Sequence, residues 1–289
     1  MRNLRKLVVL SICSGSGFLY ANFSGSEGSQ DWKVIYGADE RVDAELHSNV
    51  NLKNLSHSVA GRLSKSVATS SDTGVVLPTE TLQESMGVCQ TERFSTQKTA
   101  VECTGFLVGA DLLVTAGHCM KSQSDCEQNL WIFGFVDGVS EVKNADVYSC
   151  KEIVSQELSS VNDFAVVRLD RTVEGREPLT LRKEGAVSED TTLAVIGHPS
   201  GLPLKIDDGG KVRQTLDSNH YFVAELDTYG GNSGSPVFNL ETLEVEGILV
   251  RGERDYVWDS AESCAVSNVC DSGSCRGEDV QRITAVSGL

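Results

Sequence analysis

The chain has 289 residues, 40% of them hydrophobic, which suffices for a sizeable core in one large domain or two small ones. Lys and Arg number 25 against 41 Asp and Glu, giving a formal charge of -16. That balance argues against nucleic acid or anionic membrane as a partner, because binding phosphate needs clustered cations.

At the N-terminus, "MRNLRK" carries Arg2, Arg5 and Lys6, "LVVLSI" is a short apolar run, and Leu19-Tyr20-Ala21 offers a small residue for cleavage. This order of features predicts an export signal over residues 1–21, too short in its apolar part to span a bilayer. Cys13 invites comparison with a lipid-attachment site, but Ile12 stands where that motif wants a small residue. Residues 22–33, "NFSGSEGSQDWK", are polar and small, and a short linker or pro-segment is expected there. Apart from Cys13, eight cysteines remain: Cys89, Cys103, Cys119, Cys126, Cys150, Cys264, Cys270 and Cys275. An even number after an export signal predicts disulfides in a secreted or periplasmic protein. A zinc site would want paired CxxC units, which the chain lacks, so no metal or other cofactor is expected.

Further along, the Ser/Thr-rich residues 64–74 read as loops. From Cys103 onward, runs such as "LLVTA", "LWIFGFV", "DFAVVRL", "LAVIG" and "VEGILVR" alternate with Gly, Asp and Asn. Many short β-type runs with turn signals between them predict an all-β sandwich or barrel. The best helix candidate is the C-terminal "EDVQRITAV". "KIDDGG", residues 205–210, reads as a turn rather than a calcium loop, and "GHPSGLP" places His198 in another turn.

One stretch asks for a chemical reason. "DTYGGNSGSPVFN", residues 227–239, sets Ser233 among Gly230, Gly231 and Gly234 just before a β-type run. A serine hydroxyl becomes a nucleophile only when a base takes its proton, and the base needs a third group to fix its tautomer. Of His47, His57, His118, His198 and His220, only His118 ends an apolar strand, in "LLVTAGHC". A bridge from Cys119 to Cys103, sixteen positions earlier, would pin that strand end. The acid should lead an apolar strand and be buried beside the imidazole, which Asp163 does in "NDFAVVRLD". Taken singly, each of these features is as often plain structure: a turn, a packed histidine, a strand start.

In the order His118, Asp163, Ser233, the three motifs resemble those of the chymotrypsin-like (trypsin-fold) serine proteases. "GNSGSPV" and "VIYGADER", residues 34–41, are similar to the bacterial glutamyl-endopeptidase (V8-like) branch. The resemblance runs from Val34 to the C-terminus and includes the spacing of Cys103 and Cys119. It implies two antiparallel six-stranded β-barrels over 34–289, the first to about residue 176 and the second from about 177 to 289, with the active site in the cleft between them. His118 would be the base, Asp163 its orienter and Ser233 the nucleophile, with the amides of Gly231 and Ser233 forming an oxyanion hole. An α/β-hydrolase is excluded, since "GNSGS" is not its GxSxG elbow and its triad runs Ser, acid, His.

The same register puts Asp227, six before Ser233, at the base of the primary specificity pocket, where it would pair with a Lys or Arg side chain. Thr228 matches a threonine with which V8-like enzymes bind glutamate, but Leu249 replaces their histidine. Val250, Arg251 and Gly252 continue that wall, and Arg251 would either neutralise Asp227 or contact an acidic substrate. Val250 replaces a serine that bonds the triad aspartate in many animal members, and Asn232 replaces the aspartate that pairs with a new N-terminus on activation. Lys33 before Val34 suggests processing at that bond, by the enzyme itself if it selects basic residues. The resemblance thus implies a monomeric secreted endopeptidase acting on proteins or peptides, or else a silent binding protein on the same fold. Beyond the pair 103 and 119, six cysteines leave 15 pairings open.

Overall fold

The computed structural model describes residues 34–215, 220–271 and 274–289. The expected export signal and pro-segment, with Cys13 and Lys33, lie outside the described residues.

The apolar runs become strands. In chain order these are β1 (Val59–Ser64), β2 (Cys103–Leu107), β3 (Leu112–Thr115), β4 (Asn129–Phe133), β5 (Val147–Leu158) and β6 (Asp163–Leu169). They are followed by β7 (Thr192–Gly197), β8 (Lys205–Thr215), β9 (Tyr221–Glu225), β10 (Pro236–Asn239), β11 (Val245–Arg251) and β12 (Glu278–Arg282). The first six close into a barrel in the cyclic order β1-β2-β3-β6-β5-β4, and the second six close in the matching order β7-β8-β9-β12-β11-β10. Every pairing within the barrels is antiparallel. One wiring scheme is therefore used twice, and closure leaves neither sheet a free edge.

The near-continuous apolar runs have a packing reason. On β7, Leu193 and Val195 face the interior of the second barrel with Phe222 and Leu249. Ala194 and Ile196, on the opposite face, join Phe106, Phe164 and Val166 of the first barrel in a single cluster. A strand buried on both faces has no polar positions to alternate with.

Two short segments ahead of β1 belong to the second half of the molecule. Ile35–Tyr36 pairs in parallel with Val269–Cys270, and Val42–Asp43 pairs with β8. The disulfides are Cys103–Cys119, Cys126–Cys150, Cys89–Cys264 and Cys270–Cys275. The first, second and fourth link cysteines 16, 24 and 5 residues apart, whereas Cys89–Cys264 fastens the long loop between β11 and β12 to the segment before β2.

Two local expectations are corrected. "EDVQRITAV" is not helical: Glu278–Arg282 is β12, followed by a single 3-10 turn at Ile283–Ala285. Its central position between β9 and β11 in a closed barrel overrides its local preference. "KIDDGG" is not a turn but lies inside β8, where Lys205 and Asp207 face inward and Asp208 faces solvent. Its glycine 210 has a packing role, since a Cβ there would lie 2.3 Å from the Leu226 side chain. The Ser/Thr-rich region does contain loop, but Thr69–Ser70 and Gly74–Val76 pair as short strands.

Candidate active site

β3 delivers its end to the cleft. Residues Gly117–Cys119 turn as a 3-10 element, and Gly117 is required there because a Cβ would lie 2.2 Å from the Glu157 carbonyl oxygen. This close approach seats His118 against the start of β6. The His118 N–H donates to Asp163 Oδ1 at 2.9 Å, and its Nδ1 lies 2.8 Å from Asp163 Oδ2. One carboxylate thus grips both the backbone and the ring of the histidine, fixing the ring's orientation. Asp163 is 3% exposed and its own N–H donates to Gln281 Oε1 at 2.9 Å. Gln281, on β12, was not singled out from the sequence. Val250 supplies nothing to Asp163; the His118 N–H does.

Ser233 is 2% exposed, on the turn between β9 and β10. Gly231 and Gly234 adopt φ of +93° and +91°, open to glycine at no steric cost. A Cβ on Gly231 would meet the His198 carbonyl oxygen at 2.3 Å, and one on Gly234 would meet the Thr104 carbonyl oxygen at 2.0 Å. The glycines are needed for conformation and for room together. Thr104 ties this turn to the first barrel: its N–H donates to the Ser233 carbonyl at 2.8 Å and its hydroxyl to the Gly231 carbonyl at 2.8 Å. Cys119, next to His118, has its Sγ 3.7 Å from the Ser233 carbonyl oxygen. The turn carrying Ser233 and the turn carrying His118 are therefore packed on each other. Cys103, His118 and Cys119 cluster their donor atoms within 4.8 Å, but the two sulfurs are bonded to each other and offer no thiolate to a metal.

The pocket residues fall differently from the simplest expectation. Asp227 is buried, and its two carboxylate oxygens accept from the Tyr36 N–H at 2.7 Å and the Glu40 N–H at 3.0 Å. Its own N–H donates to Asp207 Oδ2 at 2.9 Å. Burial raises the pKa of both carboxyls, that of Asp227 against the pull of the two N–H donors. Asp227 therefore fastens the N-terminal arm. The arm's first described residue, Val34, is fully buried and accepts from the Thr228 N–H at 3.2 Å. Asn232 Oδ1 accepts from the Ser235 hydroxyl at 3.3 Å.

Thr228 donates its hydroxyl to Glu278 Oε2 at 3.2 Å. Leu249 and Val250 are buried, and the Leu249 carbonyl accepts the Gly234 N–H at 2.7 Å. Arg251 does not neutralise Asp227: its Nε holds Asp279 Oδ2 at 2.8 Å, and its guanidinium lies over the Tyr221 ring. Gly252 lies against the Glu278 carboxylate, where a Cβ would be 1.8 Å from Oε2. Glu278 is fully buried and sequence inspection missed it; being buried in a charge-rich loop-to-strand junction, it had no local signal.

The model for the trypsin-like peptidase domain matches residues 103–248. Secreted RxLR effector protein 73 of Plasmopara viticola is 28% identical over 153 residues, 47% of this chain and 38% of that protein. Glutamyl endopeptidase of Staphylococcus aureus strain MRSA252 is 26% identical over 151 residues, 50% of this chain and 41% of that protein. The matched segments span about two fifths of the length of these curated relatives. Among solved structures, that of a Glu endopeptidase in complex with MPD covers 86% of this chain and 94% of that one, with a TM-score of 0.50 and 16% identity, a likeness of fold.

Proposed function

Because the chain belongs to the trypsin-like peptidase domain family, we propose that it is a secreted serine endopeptidase working through His118, Asp163 and Ser233. The observation that carries this reading is the double hold of Asp163 on His118, at 2.9 and 2.8 Å, beside the glycine turn of Ser233. Ser233 attacks the scissile carbonyl as His118 takes its proton. The tetrahedral oxyanion is received by the amides of Gly231 and Ser233, and an acyl-enzyme forms as the leaving amine takes the proton back from His118. Water then repeats the sequence and releases the acid. Each amide donor of this kind contributes about 3 kcal/mol to the transition state. Asp163 holds the imidazole in the tautomer that can receive the proton and stabilises the imidazolium.

Secretion is supported by the expected signal over 1–21 and by the four disulfides, which persist in oxidising compartments. No helix among the described residues is long and apolar enough to cross a membrane. A preference for acidic residues is favoured by the staphylococcal relative, a glutamyl endopeptidase, and by Thr228. A preference for basic residues is favoured by the buried carboxylates around Thr228.

An alkyl fluorophosphonate tests the chemistry without regard to preference. It should label Ser233 in the full chain, fail in Ser233→Ala, and fall by several orders of magnitude in His118→Ala. Labelling that persists in Ser233→Ala, or none in the wild type, overturns the assignment.

A further inference from the structure

We propose that Ser200 and Tyr256 are positioning residues of the oxyanion hole. Tyr256 anchors Ser200, and the Ser200 N–H holds the peptide between Gly230 and Gly231 in the orientation that presents the Gly231 N–H to substrate. The proposal rests on the serine peptidase reading above and deepens it.

The turn around Ser233 leaves one peptide to be set from outside. Thr228, Tyr229, Asn232 and Ser233 are buried, whereas Gly230 and Gly231 are only partly covered, so substrate can reach the peptide that joins them. Both flanking peptides are fixed. The Gly230 N–H donates to Asp255 Oδ2 at 2.8 Å, and the Gly231 carbonyl accepts the Thr104 hydroxyl at 2.8 Å. Between two adjacent glycines, which carry no Cβ, the joining unit can turn over at little steric cost. In a trans peptide the C=O and the following N–H point in opposite directions. Whatever holds the Gly230 carbonyl therefore decides where the Gly231 N–H faces.

The Ser200 N–H donates to that carbonyl. Ser200 sits in the 3-10 turn Pro199–Gly201, within "GHPSG", at φ +52° and ψ +24°. A left-handed backbone is costly for a residue with a Cβ, and such strain persists only where the surroundings impose it. Here they include a hydroxyl, since Ser200 Oγ and Tyr256 Oη lie 2.9 Å apart. Tyr256 has a fixed seat of its own. Its ring lies 4.7 Å from that of Tyr229, and it opens a hairpin in which Tyr256–Asp259 pairs with Cys264–Ser267. Cys264 is bridged in turn to Cys89. Two consecutive residues thus fix both polar groups of Gly230, Asp255 directly and Tyr256 by way of Ser200. With the carbonyl turned to Ser200, the Gly231 N–H faces the other way, toward the oxyanion of the scissile group.

The test uses the full chain with p-nitrophenyl acetate, whose small acyl group needs no specificity pocket, and with its thiono analogue. Sulfur is a weak acceptor of hydrogen bonds, so the oxygen ester gains far more from the hole. In the wild type, acylation of Ser233 should favour the oxygen ester by at least about 10-fold beyond the ratio shown by hydroxide. Ser200→Ala keeps the strain without the anchor, so its backbone relaxes and its N–H leaves Gly230. Its oxygen-ester rate should fall about 100-fold, and the thiono rate much less. Ser200→Gly takes the left-handed conformation freely, and Tyr256→Phe loses one hydroxyl; each should fall only about 10-fold. A residue that merely filled space would give the reverse order at position 200, because alanine is nearer to serine than glycine is. Alanine matching or exceeding glycine in rate, any of the three variants keeping the wild-type rate, or equal losses with both esters overturns the proposal. So does a wild type that is labelled by fluorophosphonate but shows no preference for the oxygen ester. These outcomes leave the peptidase reading standing, whereas absence of labelling in the wild type overturns both. Where Tyr256→Phe or Ser200→Ala does not fold, Ser200→Gly decides. Its Tm should match or exceed that of the wild type while its oxygen-ester rate falls; a Ser200→Gly chain that does not fold makes the residue structural and overturns the proposal.

Discussion

Gly234 shows how tightly the turn around Ser233 is drawn. Its φ is +91°, and a Cβ would lie 2.0 Å from the Thr104 carbonyl oxygen and 2.3 Å from the Thr115 hydroxyl, both parts of the first barrel. An alanine there carries backbone strain and a clash with atoms that cannot swing away. Gly234→Ala should lose about 3 kcal/mol or more, read by denaturant titration, and should lose fluorophosphonate labelling as the turn shifts. His198, whose N–H donates to Thr104 Oγ1 at 3.1 Å, gives a pH signature. Burial pushes its pKa from 6.5 down to about 4, although the Leu202 carbonyl 2.9 Å from Nδ1 favours the charged ring. The folded state then binds fewer protons than the unfolded chain between those values, so this histidine's contribution is lost as pH falls from about 6.5 to about 4. Asp207 and Asp227, with raised pKa values, act with the opposite sign. The comparison that isolates His198 is therefore between variants. His198→Asn should lose less stability than the wild type between pH 7 and pH 4.5 in parallel denaturation curves.

At the scale of elements, β12 is the strand that local sequence hides and the site depends on. "EDVQRITAV" shows no clean alternation because polar residues are buried on both of its faces: Glu278 on the face of Val280, which packs inside the barrel, and Gln281 on the other. By contrast β3, β6, β7 and β11 were legible, because strands buried on both faces leave plain apolar runs. That His118 and Asp163 would sit at strand ends was legible for a related reason, each lying beside such a run. The pairings Cys89–Cys264, Cys126–Cys150 and Cys270–Cys275 were not, since cysteine spacing carries no distance information across a fold. Gln281 was equally silent, because its function exists only once two barrels meet. Its Oε1 accepts the Asp163 N–H at 2.9 Å and its Nε2 donates to the His220 carbonyl at 3.2 Å, coupling β12 to the first residue of β6. Gln281→Leu would leave that buried N–H without its acceptor, at a cost of about 1–3 kcal/mol. Because the disturbance falls on the residue that orients His118, kcat should drop while KM changes little, which steady-state kinetics on a single peptide would show.

For the molecule as a whole, the N-terminal arm works as a keystone beneath the site. Val34 and Ile35 are 0% and 1% exposed, and Ile35–Tyr36 adds a parallel strand to Val269–Cys270 in the loop closed by Cys270–Cys275. Asp227, six residues before Ser233, receives two N–H groups from the arm, and Thr228 N–H bonds Val34. The usual activation logic of the family, an aspartate paired with a newly freed amine, has no aspartate here, since Asn232 occupies that position and bonds Ser235. The donors that reach Asp227 are interior peptide groups of residues 36 and 40. Order in the Ser233 turn should therefore depend on the arm being present. A chain begun at Arg41 loses two buried aliphatic side chains, each contributing about 1.5–3 kcal/mol. It also leaves the Asp227 carboxylate buried without its two N–H donors, a further destabilisation. Such a chain should fail to label at Ser233 and melt well below a chain begun at Val34, which keeps every one of these contacts and should label. Equal labelling of the two would show that the arm is ornamental to the site and that the turn stands without it.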